Sequence, residues 1–118
     1  MTIFYALIAK KRNIILADYT EYSGNFQQYT MQLMNRIEEE TKKSFELEEY
    51  MFHYINEDGL TVLCMADKTM NKKVAFAFLQ DLRKTLLGTY TGRELENAKA
   101  FSLATFTEMI REKIVSTS

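Results

Sequence analysis

Apolar residues recur along this chain at two different periods, and the switches between them divide it into elements. Residues 3–9 are apolar at every position and too few for a helix, which predicts a central strand covered on both sides. Lys10-Lys11-Arg12-Asn13 reads as a polar turn and residues 14–17 as a second strand, so that 3–18 form a hairpin. Ser23-Gly24-Asn25 offers helix N-cap chemistry, and Phe26, Tyr29, Leu33 and Ile37 recur at spacings of three and four, predicting a helix to about Glu40. Residues 44–47 predict a short strand, 50–55 a clear one, Asn56-Glu57-Asp58-Gly59 a hairpin turn and 60–66 the return strand. A helix follows over 71–87, with Ala75, Phe78, Leu79, Leu82 and Leu86 as its buried stripe and Gly88 as its stop. Residues 89–94 read as a loop. A last helix over about 98–113 carries Leu103, Phe106, Ile110 and Ile114. The order β-β-α-β-β-β-α-α, with adjacent hairpins and strands apolar on both faces, implies an α+β sandwich: a mostly antiparallel sheet between helical layers.

Composition narrows the function classes. The chain has 118 residues, 47% apolar and 26% charged, which is one ordinary globular domain able to bury its own core. A formal net charge of -1 gives no basic field for nucleic acid. The single cysteine, Cys64, makes no internal disulfide and fits a reducing compartment. No apolar run approaches the ~18 residues of a membrane span. The N-terminus lacks the basic n-region of a signal peptide, Thr2 excludes N-myristoylation, and Ser116-Thr117-Ser118 carries no prenylation signal.

Chemistry-bearing residues are sparse. His53 is the one histidine and sits among core-type strand residues, where a structural role is expected over general-base work. Cys64 on the neighbouring strand invites a nucleophile–base dyad, but no Gly-rich oxyanion turn or third group accompanies the pair. One His and one Cys make no usual metal set, and Gly88 with Gly92 makes no phosphate loop, so neither metal nor cofactor is expected. Glu38-Glu39-Glu40 and Lys42-Lys43 read as a solvated charge run, and the clusters Lys10-Lys11-Arg12 and Lys72-Lys73 are short for lipid contact.

Six segments carry a family resemblance. The opening Met-Thr-Ile-Phe-Tyr-Ala-Leu-Ile-Ala-Lys resembles the first strand of longin domains, and Gly24-Asn25-Phe26 their approach to the first helix. Tyr50-Met-Phe-His-Tyr-Ile55 and Leu63-Cys-Met-Ala-Asp67 resemble the strands that follow. Ala75-Phe-Ala-Phe-Leu79 resembles a segment of the next helix, and Thr89-Tyr90 the loop after it. Any one motif is weak, but the ordered set across nearly the whole chain is specific. It is most similar to the longin domain of R-SNAREs, in the long vesicle-associated membrane protein (synaptobrevin-like) branch. The resemblance implies a profilin-like fold with a five-stranded antiparallel sheet, one helix on one face and two on the other.

It also implies an N-terminal regulatory and sorting domain of a vesicle SNARE, on the cytosolic face of endomembranes and transport vesicles, with no enzymatic activity. The implied partners are the protein's own SNARE motif folded back, other SNAREs, or trafficking adaptors. Membrane association would come only through a C-terminal anchor that this chain lacks, and the isolated domain is expected to be a monomer. The residues expected to bind are Phe45 and Leu47, on one face of an edge strand, with Met31 and Met34 on the flank of the first helix outside its core stripe. Lys43 departs from the apolar residue often found there in the branch. The alternative is a constitutive longin-like subunit of an adaptor or tethering complex.

Overall fold

The computed structural model describes residues 2–11 and 13–117. Its elements are β1 (Ile3–Lys10), β2 (Ile14–Tyr19), α1 (Phe26–Met34), β3 (Thr41–Leu47), β4 (Tyr50–Glu57), β5 (Leu60–Asp67), α2 (Lys72–Thr89), α3 (Gly92–Asn97) and α4 (Ala104–Thr117). The strands form one five-stranded sheet in the order β2-β1-β5-β4-β3, and every neighbouring pair is antiparallel. The strands read as central, β1 and β5, lie inside the sheet, with β5 in its middle.

Each sheet face has its own core. On the first, Tyr5, Leu7, Phe52, Tyr54, Leu63 and Met65 pack under Phe26, Leu33 and Met34 of α1. On the second, Ala6, Ile8, Ile55, Val62 and Cys64 pack under α2 and α4, with Leu95 of the short α3 joining them. The alternation along β1 and β5 that assigns side chains to these faces follows from the strand's period of two. Two register shifts adjust it. Between Ile3 and Tyr5 the β1–β5 ladder carries one extra residue, Phe4, so that Phe4 and Tyr5 both serve the first core. Opposite Ile8 and Ala9, β2 carries Leu16 as the extra residue, so that Leu16 and Ala17 both serve the second. The β4–β5 turn is a two-residue hairpin with Asp58 and Gly59 at φ 55° and 76°, as the Asp-Gly pair leads one to expect.

The helices depart from the pattern in three places. α1 ends at Met34, well short of Glu40, because tertiary partners replace helical ones. Ile37 turns into the first core, the Glu38 backbone N–H donates to the Tyr54 hydroxyl (3.2 Å), and Asn56 Nδ2 donates to the Glu38 carbonyl (3.2 Å). Asn25 stands at the N-cap without a side-chain cap bond. Residues 89–94 do not form a plain loop: Thr91 and Glu94 make a reciprocal capping box that starts α3. Gly88 lies inside α2, one residue before its end. The last helix begins at Ala104, not near Ala98, and runs on to Thr117; its buried stripe keeps Phe106, Ile110 and Ile114 of the expected set, while Leu103 is buried from the segment before it. The stretch before it makes a turn instead, with the Ser102 N–H donating to the Lys99 carbonyl (3.0 Å), Phe101 at φ 55° and the N–H groups of Phe101 and Leu103 donating to the carbonyls of Ile15 (2.7 Å) and Leu16 (3.2 Å).

Lys10 is not a turn residue. It closes β1, is 7% exposed, and its ammonium donates to the carbonyls of Leu95 (3.1 Å) and Glu96 (2.5 Å) in α3. A buried cation is tolerable there because the last carbonyls of a helix lack intrahelical donors and carry partial negative charge. The cluster Lys10-Lys11-Arg12 is therefore divided, since Lys10 faces inward, Lys11 is exposed and Arg12 lies outside the described residues. The Lys10→Met substitution keeps the stem and removes both charge-assisted bonds. It is expected to lower stability by about 1–3 kcal/mol, measured by urea denaturation, with faster amide exchange in α3.

Candidate functional site

A strand at the margin of a sheet exposes a row of main-chain donors and acceptors. This sheet has two margins, and they differ. The outer side of β2 is partly occupied by the Phe101–Leu103 main-chain bonds just described. β3 pairs with β4 alone, through seven consecutive residue pairs from Thr41↔Asn56 to Leu47↔Tyr50 without a register shift. The chain contains no proline to interrupt it. β3 is therefore the open margin, and it begins at Thr41, three residues before the strand expected from the sequence.

Phe45 and Leu47 share the face of β3 that looks toward α1. Both are half-buried and pack against the first core; the Phe45 ring stacks on Tyr54 at a centroid distance of 5.7 Å. Lys43 lies on the same face. It forms an ion pair with Glu38 from the segment after α1, and its ammonium sits 5.9 Å from the Phe45 ring centroid. The strip is therefore apolar at its Leu47 end and bounded by a neutralised lysine at the other.

The two methionines are placed differently from each other. Met34 is 1% exposed and belongs to the first core, so it does not contribute to an exposed strip. The reason is a rotation of the α1 stripe. The buried set is Phe26, Thr30, Leu33 and Met34, whereas Tyr29 is displaced to the flank. At 100° per residue this turns the inward face by about 40° from the one expected. Met31 is exposed (48%), but it lines an open concavity of about 710 Å³ with Asn13, Ile15, Gln27, Gln28, Gln32 and Phe101, beside β2 at the far margin from β3. The structure thus brings Phe45 and Leu47 together over a core that includes Met34, and sets Met31 apart.

On the other face of β3, the Ser44 hydroxyl and His53 Nδ1 are hydrogen-bonded at 2.7 Å. The His53 ring is 1% exposed, meets the Phe76 ring edge-on at 5.6 Å, and its Nε2 has no partner among the described residues. Cys64 stands directly opposite in the β4–β5 ladder. Its thiol is fully buried and burial pushes its pKa up to about 12, so it remains protonated at neutral pH rather than becoming a nucleophilic thiolate. Among the described residues no group of three or more His, Cys, Asp and Glu side chains is arranged to hold a metal ion. Ser44 is the participant that sequence reasoning missed; its place opposite His53 in the ladder was the available signal.

Burial, and then the nearby Lys72 charge, hold the His53 pKa below its ordinary 6.5. The folded chain therefore resists a proton that the unfolded chain accepts. Stability is complete above the unfolded value, begins to fall as pH drops through ~6.5, and stops falling once the lowered folded value is passed, with a slope of at most ~1.4 kcal/mol per pH unit. Urea denaturation at pH 7.5 and 5.5 is expected to show this loss in the native chain, and a smaller one in His53→Gln.

The sequence profile of the family described as "Longin: Regulated-SNARE-like domain" matches residues 16–110. The chain is 34% identical over 105 residues to vesicle-associated membrane protein 711 of Arabidopsis thaliana, covering 87% of this chain and 47% of that protein. It is 37% identical over 91 residues to vesicle-associated membrane protein 7B of Dictyostelium discoideum, covering 76% and 35%. Against vesicle-associated membrane protein 7 of Homo sapiens it is 34% identical over 94 residues, covering 79% and 42%. The chain spans about half the length, or less, of these curated relatives.

Proposed function

The chain belongs to the longin family of regulated-SNARE-like domains, and on that ground we propose that it is the N-terminal regulatory and sorting domain of a vesicle SNARE. Its work is binding, without catalysis, at the cytosolic face of endomembranes and transport vesicles. Its ligand is the SNARE motif of the same protein folded back, or a segment of a trafficking adaptor. One observation supports this reading most strongly: the open margin of the sheet at β3 carries two half-buried apolar side chains, Phe45 and Leu47, while the opposite margin is partly covered.

The physics of such a site is simple. An extended peptide completes the main-chain ladder of the margin strand, and side-chain pockets beside it choose among sequences. Phe45 and Leu47 lose their remaining exposure when a ligand lies over them, which adds apolar burial to the main-chain bonds. A SNARE motif held this way is withheld from its fusion partners until an adaptor or another SNARE displaces it, so regulation is competition for one strip. Met31 is proposed as a separate contact beside β2, for a ligand long enough to pass around α1, and Met34 as the floor that holds Leu33 and α1 in place.

The experiment is a calorimetric titration of this domain with the heptad segment of its full-length protein. Phe45→Ser/Leu47→Ser is expected to weaken binding at least ~10-fold, from the loss of two apolar contacts of ~1 kcal/mol or more each, with an unchanged far-UV spectrum. Unchanged affinity in the folded double variant would remove this strip as the binding site.

A further inference from the structure

β3 is complementary to itself. Its seven residues, Thr41–Leu47, centre on Ser44, and one pair of opposite charges is placed symmetrically about that residue: Lys42 lies two positions before it and Glu46 two after. A two-fold axis through the Ser44 pair places Lys42 of one copy opposite Glu46 of the other, twice. It also places Lys43 opposite Phe45 and Thr41 opposite Leu47, twice each. No like charges face one another, and each facing pair shares one side of the sheet, as an antiparallel ladder requires. A parallel in-register pairing, or an antiparallel one centred on Lys42 or Lys43, would instead set lysine against lysine.

We propose that this strip is also a self-association surface, on which two copies of the chain pair antiparallel through β3 to make one sheet continuous through both. The inference rests on the open β3 margin used in the functional reading, and it adds a second copy of this chain as an occupant. Two further observations favour it. Sheet margins are blunted by bulges, prolines or charges, lysine above all; β3 pairs without a register shift, and its exposed Lys42 and Glu46 are of opposite sign, so the charges that blunt it toward other strands do not repel a two-fold mate. Lys42 is exposed and forms no ion pair among the described residues, and Glu46 has only Lys68, at 3.8 Å on the exposed surface. Lys42 is therefore available to a partner, and Glu46 becomes so by giving up one long, exposed contact.

This departs from the monomer expected on sequence grounds, and the size of the contact reconciles the two. A ladder of one short strand buries less than the ~1,200 Å² of stable complexes. The dimer is accordingly weak, with a dissociation constant on the order of 10–1,000 µM, and dilute chain is monomeric. Dimer and bound peptide use the same main-chain groups, so each excludes the other, and crowding of the domain on a surface opposes docking of its ligand.

Sedimentation equilibrium of the chain from roughly 10 µM to 1 mM tests this. The expected result is reversible monomer–dimer behaviour, weakened ~5-fold or more by Lys42→Glu and likewise by Glu46→Lys, each of which sets like charges opposite each other. Mixing these two variants in equal amounts restores opposite charges in every pair and is expected to recover association. Both positions are exposed, so neither variant is expected to disturb the fold. A native chain that stays monomeric throughout, or a mixture no tighter than either variant alone, overturns the dimer. The peptide titration, run where the chain is monomeric, keeps the two readings separable. Retained peptide binding with no dimer removes only the self-association, whereas a dimer with peptide binding indifferent to Phe45 and Leu47 removes only the peptide strip.

Discussion

β1 and β5 present apolar side chains to both faces of the sheet, so each face must be roofed before either strand is stable. α1 roofs one side, and α2 with α4 the other. Covering both faces leaves the sheet only its margins as main-chain surface. The Phe101–Leu103 segment takes up part of one, and what remains is β3. The location of the candidate site is thus a by-product of how the core is closed.

Much of this was legible in the order of residues. The apolar runs 3–9 and 60–66 announced central strands, the stripe of α2 matches the expected one to the residue, and that of α4 matches it except for Leu103, which lies just before the helix. What escaped depends on partners distant in sequence. Ile37 fits a helical stripe, but Tyr54 and Asn56 supply hydrogen bonds that make a turn into the core a better solution than two more helical turns. Lys10 has no apolar signature at all; its burial depends on carbonyls in the last turn of a helix some 85 residues away. The α3 capping box was a local signal, Thr-x-x-Glu, and was available to a closer reading.

The candidate site was half legible. Phe45 and Leu47 alternate with polar residues, which is what a strand with one greasy side looks like. The methionines were harder, because a helix flank is assigned only when the inward direction is known to better than one residue's turn of about 100°. Replacing Tyr29 by Thr30 in the buried set shifts that direction enough to carry Met34 inside. Thr30 is an unexpected choice for a core position, but its hydroxyl donates to the Phe26 carbonyl at 2.8 Å and is satisfied within its own helix.

The clasp of Phe101 and Leu103 on β2 also has a consequence for filaments. Sheets with two open ribbons grow head to tail without limit, because each added subunit offers a fresh ribbon at its far side. Here the β2 ribbon is partly taken by the Phe101 and Leu103 main-chain bonds, which shortens the ribbon open to a further subunit, and the phenylalanine at φ 55° is part of what that clasp costs the fold.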